Sequence, residues 1–295
     1  MHTWVIGAGG LLGGALLRQF PDSFVGQPVQ WSDPNHSIVD LQRNLEQFRE
    51  LVGHGQQPWT IIWAAGHATV SSSAESCATE LQVFTQFMDS VASNPPAGRG
   101  TFFLTSSAGG VYAGSVGAPF TADSAVNPVS EYGRLKWAQE EYARSKTGIR
   151  VIIGRISNLY GPGQDLTKLQ GLVSRLVTAG LDKQTVNIFV PLDTLRDFIY
   201  VEDAAATVAS VIADPAAPSL LVIASGEPKS LGTVIAQVQD VLRIKIPIAY
   251  GVHSSSASQA ADLRLTPTVP NPQLTPFPVG VKAVISDLLD QLQNQ

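Results

Sequence analysis

A single cysteine, Cys77, in 295 residues allows no internal disulfide, so the chain is not built on a disulfide scaffold. Histidine is equally sparse: His2, His36, His54, His67 and His253 are scattered, no pair has metal-ligand spacing, and no metal is expected. Charged residues make up only 15% of the chain, against roughly 25% in an average domain. The balance of 19 Lys+Arg against 24 Asp+Glu gives a net charge of -5, so there is no broad basic surface to neutralise a phosphate backbone. Nucleic acid is not an expected partner. No run reaches the roughly 18 apolar residues of a membrane span, and the N-terminus runs from Met1 into Trp4-Val5-Ile6 with no basic segment or cleavage pattern. The expected compartment is therefore the cytoplasm, with no membrane contact.

What is present is a 44% hydrophobic composition, enough for one or two sizeable cores. Short β-rich runs occur at Trp4-Val5-Ile6, Pro28 to Trp31, Thr60 to Trp63, Thr101 to Leu104 and Arg150 to Ile153. Between them lie segments with helical spacing, such as Leu41 to Val52 and Glu80 to Val91. Strands alternating with helices predict an α/β fold, a doubly wound parallel sheet covered on both faces. Past residue 157 the alternation breaks down and Pro and Ser become frequent, as at Pro215, Pro218, Ser254 to Ser256 and Pro267 to Pro278. This divides the chain into residues 1–157, the doubly wound domain, and residues 158–295, mostly a smaller mixed region. Residues 198–213 read as a strand and helix returning to the larger part, and Val281 to Leu292 as a closing helix.

The first strand runs into Gly7-Ala8-Gly9-Gly10-Leu11-Leu12-Gly13-Gly14 and then an apolar helix. A pyrophosphate is best held by backbone N–H groups at a helix N-terminus, and glycines let it approach. Gly7, Gly10 and Gly13 form GxxGxxG; Gly7, Gly9 and Leu12 only partly fit G-x-G-x-x-G. The alternative is a tight packing turn. No lysine follows the glycines, which argues against a nucleotide triphosphatase. Asp33 is the candidate for the adenosine ribose, and no Arg follows it closely, which favours NAD over NADP. Ser32 as the deciding residue, or a simple turn at Asp33-Pro34-Asn35, are the alternatives.

Tyr132 and Lys136 stand four apart in a helix expected from Ser130 to about Lys146. A free phenol titrates near 10, but an ammonium one turn away and a cationic nicotinamide nearby favour the phenolate. Tyr132 then becomes a usable acid or base, with Lys136 also placed for the cofactor ribose. An exposed helix-face pair is the competing reading.

With these residues in hand, the chain resembles an extended short-chain dehydrogenase/reductase of the NAD-dependent epimerase/dehydratase family, nucleotide-sugar branch. The likeness includes the glycine turn, Val39-Asp40-Leu41, Ile61 to Gly66, Thr105-Ser106-Ser107 to Tyr112, Tyr132-x-x-x-Lys136, Arg155 to Gly163 and Arg196 to Asp203. It implies a Rossmann-type sheet and a cofactor site of Gly7, Gly9, Gly10, Leu11, Leu12, Gly13, Asp33, Asp40, Leu41, Ala64, Ala65, Gly66, Tyr132 and Lys136. Asp40 and Leu41 would border the adenine; Ala64, Ala65 and Gly66 would line the dinucleotide. Asn158 and Arg196 would contact the substrate diphosphate, for which a planar guanidinium is suited. An ion pair of Arg196 with Asp197 or Asp203, and a turn role for Asn158, are the alternatives.

The chain also departs from the family pattern. Ala108 stands where Ser or Thr often precedes the tyrosine matching Tyr112, so the catalytic hydroxyl is assigned to Ser107, with Ser106 in reserve. Ile6 replaces the usual Thr before the glycine turn, and the Asn expected near Glu80-Leu81-Gln82 is missing. The resemblance implies an epimerase that uses NAD, with a keto-sugar reductase or a non-catalytic dinucleotide sensor as alternatives. A dehydratase is disfavoured because Ala108-Gly109-Gly110 offers no Asp-Glu pair. It also implies a homodimer through two helices near Glu75 to Val91 and Val129 to Lys146. Phe84, Phe87, Leu135 and Trp137 are the candidate apolar contacts there unless they face the sheet. Trp31, Trp59, Trp63 and Trp137 read as core or interface residues, His67 as a loop histidine and Cys77 as a small packed residue.

Overall fold

The computed structural model describes residues 1–55, 57–166, 170–251, 262–271 and 273–293. His253 and the Ser254 to Ser256 run lie outside them. The first half contains β1 (His2–Ile6), α1 (Leu11–Gln19), α2 (Pro34–Val52), β2 (Trp59–Trp63), α3 (Ala74–Ser93), β3 (Gly100–Ser107), the single turn α4 (Ala108–Val111), α5 (Glu131–Arg144) and β4 (Arg150–Ile156). The second half adds β5 (Asn158–Tyr160), α6 (Leu172–Leu181), β6 (Val186–Ile188), β7 (Leu195–Tyr200), α7 (Val201–Ala213), β8 (Leu220–Ile223), β9 (Pro228–Ser230), α8 (Leu231–Leu242), β10 (Ile248–Tyr250) and α9 (Phe277–Gln293).

Five strands in the order β1-β2-β3-β4-β8 form the main sheet, and every pairing is parallel. Their side chains alternate between two apolar layers, as strands buried on both faces must. Trp4, Ile6, Ile61 and Trp63 pack with Leu41, Leu45 and Phe48 of α2 and Phe84 and Phe87 of α3. On the other face Val5, Ile62, Phe103 and Ile152 pack with Ala15 and Leu16 of α1 and Ala204 and Val208 of α7. This is the expected Rossmann-type arrangement. Helix α7 lies against the main sheet, and β8 extends it by one strand drawn from beyond residue 157.

A smaller region is built from β5-β7-β9 and the pair β10-β6. Tyr160 and Phe198 from its strands meet Val177 of α6, Val234 of α8 and Val281 of α9 in a separate core.

The expected strand at Pro28 to Trp31 is not formed. Beside β1 there is only an isolated bridge, Trp4 to Phe24. Pro28 has no N–H for a ladder. The buried Asn44 of α2 instead binds both the N–H and the carbonyl of Gln27, each at 2.9 Å, taking the place of a neighbouring strand. Helix α2 also begins seven residues before Leu41, at Pro34, with Asp33 as its N-cap. Val39-Asp40-Leu41 therefore lies inside a helix rather than after a strand.

Candidate active site

Strand order places the carboxyl ends of β1, β2, β3 and β4 along one edge, where ligands of open α/β sheets bind. At the first of these ends Gly7 adopts φ +90 and Gly10 donates to its carbonyl at 3.0 Å. A methyl on Gly7 would lie 2.5 Å from the Ala65 nitrogen, and one on Gly13 would lie 2.0 Å from the Gly7 oxygen. Those two glycines are required by packing between the turn, α1 and the Ala64-Ala65 backbone. Gly9 is different: a methyl there meets nothing within 4 Å. Gly10 caps α1 without a side-chain bond, so the first-turn N–H groups, including Leu11, Leu12 and Gly13, face that space uncapped. The turn fits a pyrophosphate.

Helix α5 starts at Ser130, whose hydroxyl accepts the Gly133 N–H at 3.0 Å. Tyr132 stands in its first turn, and Lys136 follows one turn on with its ammonium 5.8 Å from the Tyr132 ring centre. Ser107, at the end of β3, accepts the Gly110 N–H at 3.1 Å, which leaves its O–H to donate elsewhere. A methyl on Gly110 would lie 3.2 Å from the Tyr132 ring and 3.4 Å from the Ser107 Cβ. Gly110 is thus the spacer that brings Ser107 and Tyr132 together, and Ala108-Gly109-Gly110 forms α4 packed on α5. Lys136 is buried and donates to Gln139 Oε1 at 3.1 Å. The exposed backbone of Gly66 lies above it: a Cβ there would be 3.5 Å from Nζ.

Behind these groups lies an ion pair that is buried on all sides. Glu140 of α5, 0% exposed, binds Arg155 of β4 through Nε and Nη2 and accepts the Ser106 hydroxyl at 2.6 Å and Arg144 at 3.0 Å. Arg155 also donates to the Tyr112 hydroxyl at 2.6 Å, and Tyr112 donates to the Thr121 carbonyl at 2.7 Å. Ser106 is therefore engaged structurally, whereas Ser107 lies with Tyr132 beside Gly110.

Four expectations require correction or detail. Leu41 is 0% exposed and belongs to the core between α2 and the sheet. Asp40 accepts the Gln30 N–H at 3.0 Å and pairs with Arg43 at 3.0 Å, which holds the loop before α2. Asp33 is likewise occupied: its Oδ1 accepts from His36 and Asn35, and the His36 N–H above all holds its carboxyl below the ordinary value. Phe84 and Phe87 face the sheet, Leu135 is buried, and Trp137 is half-buried beside the Arg144 and Arg155 guanidinium groups.

On the substrate side, Asn158 Nδ2 donates to the Asp197 carbonyl at 2.7 Å, fixing β5 to β7. Burial lowers the Arg196 pKa to about 10. Neither neighbouring carboxylate is spare: Asp197 accepts from Ser225 and Gly226, and Asp203 from Thr275. Sequence reasoning did not single out Glu80, whose Oε2 accepts the His67 and Ala68 N–H groups at 2.8 Å each, or Ser157, whose buried hydroxyl has no hydrogen-bond partner. Ser157 sits in no spacing that marks it, while Glu80 stands near the place where the family pattern expects Asn. Trp31 is 45% exposed, with its edge against Trp63 at the end of β2 and a ring-centre distance of 6.3 Å.

Residues 3–224 match the model of the NAD dependent epimerase/dehydratase family, and the chain belongs to that family. A dTDP-L-rhamnose 4-epimerase of Burkholderia thailandensis is 35% identical over 111 residues, which is 35% of this chain but only 30% of that relative. A dTDP-4-dehydro-6-deoxyglucose reductase of Escherichia coli is 22% identical over 283 residues, 88% of each chain. The solved UDP-glucose 4-epimerase of Thermotoga maritima with UDP-glucose shares the fold at 17% identity and a TM-score of 0.78, covering 99% of this chain and all of that one.

Proposed function

We propose that the chain is an NAD(H)-using epimerase acting on a nucleotide-activated sugar. The observation that carries this is the convergence of Ser107 and Tyr132 on Gly110, with Lys136 one turn beyond, beside a glycine turn shaped for a pyrophosphate. Bound NAD(H) supplies the hydride acceptor and donor. The chain's own residues handle the proton: Tyr132 exchanges it with the sugar hydroxyl, and the Ser107 O–H orients the reacting oxygen. Lys136 supplies positive charge to the phenol and reaches for the cofactor ribose. Asn158 and Arg196 are assigned to the substrate's diphosphate side. A keto-sugar reductase is the second reading, favoured by the end-to-end match to the Escherichia coli reductase. A sensor has no use for a phenol set beside an ammonium.

The test is to denature the purified protein and identify any released nucleotide by mass. Stoichiometric NAD or NADH is expected of an epimerase that recycles its cofactor. An empty protein that oxidises NADPH in the presence of a nucleotide keto-sugar would replace the epimerase by the reductase, and with it the NAD preference.

The adenosine half of the dinucleotide must run away from Tyr132, towards the free edge of β1 where residues 25–33 lie. Trp31 is the large exposed ring on that path. Its loop is fixed by Asp40 on the Gln30 N–H and by Ser37 on the Gln30 carbonyl. Trp31→Ala is expected to weaken NADH binding about tenfold, as loss of a base stack does. Unchanged affinity in a fluorescence titration would remove Trp31 from the site. The lone buried Cys77 accords with a reducing cytoplasm. A homodimer through α3 and α5 would rest on a mostly polar outer face, since Gln82, Gln86, Asp89, Arg134, Glu141 and Arg144 are among the residues those helices expose.

A further inference from the structure

Glu80 on α3 divides its two oxygens between two environments. Oε2 is satisfied by the N–H groups of His67 and Ala68, which anchors the loop leaving β2. Oε1 is buried and has no hydrogen-bond partner. Its nearest charge is the Lys136 ammonium at 3.6 Å, close enough for an ion pair but too long for a good N–H···O bond. A buried acceptor left without a donor is costly, and such atoms in native proteins usually await a water, an ion or a ligand.

The position of Oε1 indicates what that ligand is. A methyl on Gly66 would lie 3.2 Å from Oε1 and 3.5 Å from Lys136 Nζ, so carboxylate and ammonium lie side by side beneath one exposed stretch of backbone. Neighbouring acceptor and donor of this kind match a vicinal diol: one hydroxyl gives its proton to the carboxylate, and the other accepts from the ammonium. The glycine turn packs against the Ala64-Ala65 backbone of the same segment.

We infer that Glu80 is a cofactor-binding residue: Oε1 accepts a hydroxyl of the nicotinamide-side ribose while Lys136 donates to the diol. This rests on the reading of the crevice as a dinucleotide site. The family pattern expects Asn near this position, and an amide can both donate and accept. The carboxylate only accepts, so it commits the ribose hydroxyl to donate.

The test is calorimetric binding of NADH, ADP-ribose and ADP to wild type and Glu80→Gln. Glutamine keeps a carbonyl for the His67 and Ala68 N–H groups but turns an NH₂ towards the ribose. NADH and ADP-ribose, which carry the second ribose, are expected to lose about 10-fold or more in affinity, and ADP, which lacks it, to bind unchanged. Glu80→Asp, which keeps the charge and withdraws the oxygen, is expected to repeat the pattern at reduced size and serves if the glutamine variant melts early. Unchanged NADH binding in both variants would overturn the assignment. Equal losses for NADH and ADP would also overturn it, leaving Glu80 a support of the loop. Wild-type protein that binds none of the three probes would overturn the dinucleotide reading and this inference with it.

Discussion

Tyr132→Phe is expected to lower turnover of a nucleotide sugar by about 10²- to 10⁴-fold, while NADH affinity stays within about twofold. The asymmetry follows from geometry. The Tyr132 ring packs against the Gly110 backbone, and phenylalanine preserves that contact. Only the hydroxyl is lost, and with it the group that exchanges the sugar's proton. Ser107 cannot substitute: an alcohol remains protonated at neutral pH, and its oxygen already accepts from Gly110. Steady-state turnover together with NADH titration separates the two effects. Retained turnover in a Phe variant would place the proton transfer elsewhere and return the sensor reading to consideration. Equal loss of turnover and cofactor would mean that the ring, not the hydroxyl, matters.

The parts of this site that were legible in the sequence are those set by local spacing. Tyr132 and Lys136 are one helical turn apart in any helix, and Ser130 supplies the cap that starts it. The glycine turn is legible because a strand, a φ +90 position and a helix start must follow in order within a dozen residues. What was not legible depends on contacts distant in sequence. Val29 to Trp31 has the composition of a strand, yet Asn44 captures the backbone of Gln27 and the segment becomes the lead into a capped helix. Nothing in residues 28–33 discloses an amide eleven or more residues later. Asp33 is a related case: Asp before Pro reads equally as a ribose ligand or an N-cap, and the start of α2 adds the cap role through Oδ1.

Glu80 is the clearest case. On an isolated helix it is an ordinary polar position, and only the packing of α3 against α5 turns it towards Lys136. The substrate-side region was obscure for a related reason. Strands β5, β6, β9 and β10 are three residues long, too short to show a period, and Asn158 finds its partner on Asp197, 39 residues on.

Glu140→Ala is expected to cost about 3–5 kcal/mol, because it strands the Arg155 guanidinium, 2% exposed, with no counter-charge. For a chain of this size that corresponds to a fall of roughly 5–8 °C in Tm by calorimetry. Arg155→Met alone should cost less, since the carboxylate keeps Arg144 at 3.0 Å as a counter-charge. Combining Glu140→Leu with Arg155→Met removes both buried charges, and this double variant is expected to recover most of the loss, leaving the Ser106, Tyr112 and Arg144 hydrogen bonds to the pair unmade. Additive losses in the double variant would mean that shape, not charge, is what the pair supplies. Activity should follow a different rule from stability. Glu140 lies one turn past Lys136 on α5 and binds Ser106, the neighbour of Ser107, so a single carboxylate registers the helix carrying Tyr132 and Lys136 against the strand carrying Ser107. The apolar double variant restores the fold without restoring that registration. Its turnover at temperatures well below Tm is therefore expected to stay reduced by about tenfold or more, since small displacements of acid and substrate hydroxyl are costly to proton transfer.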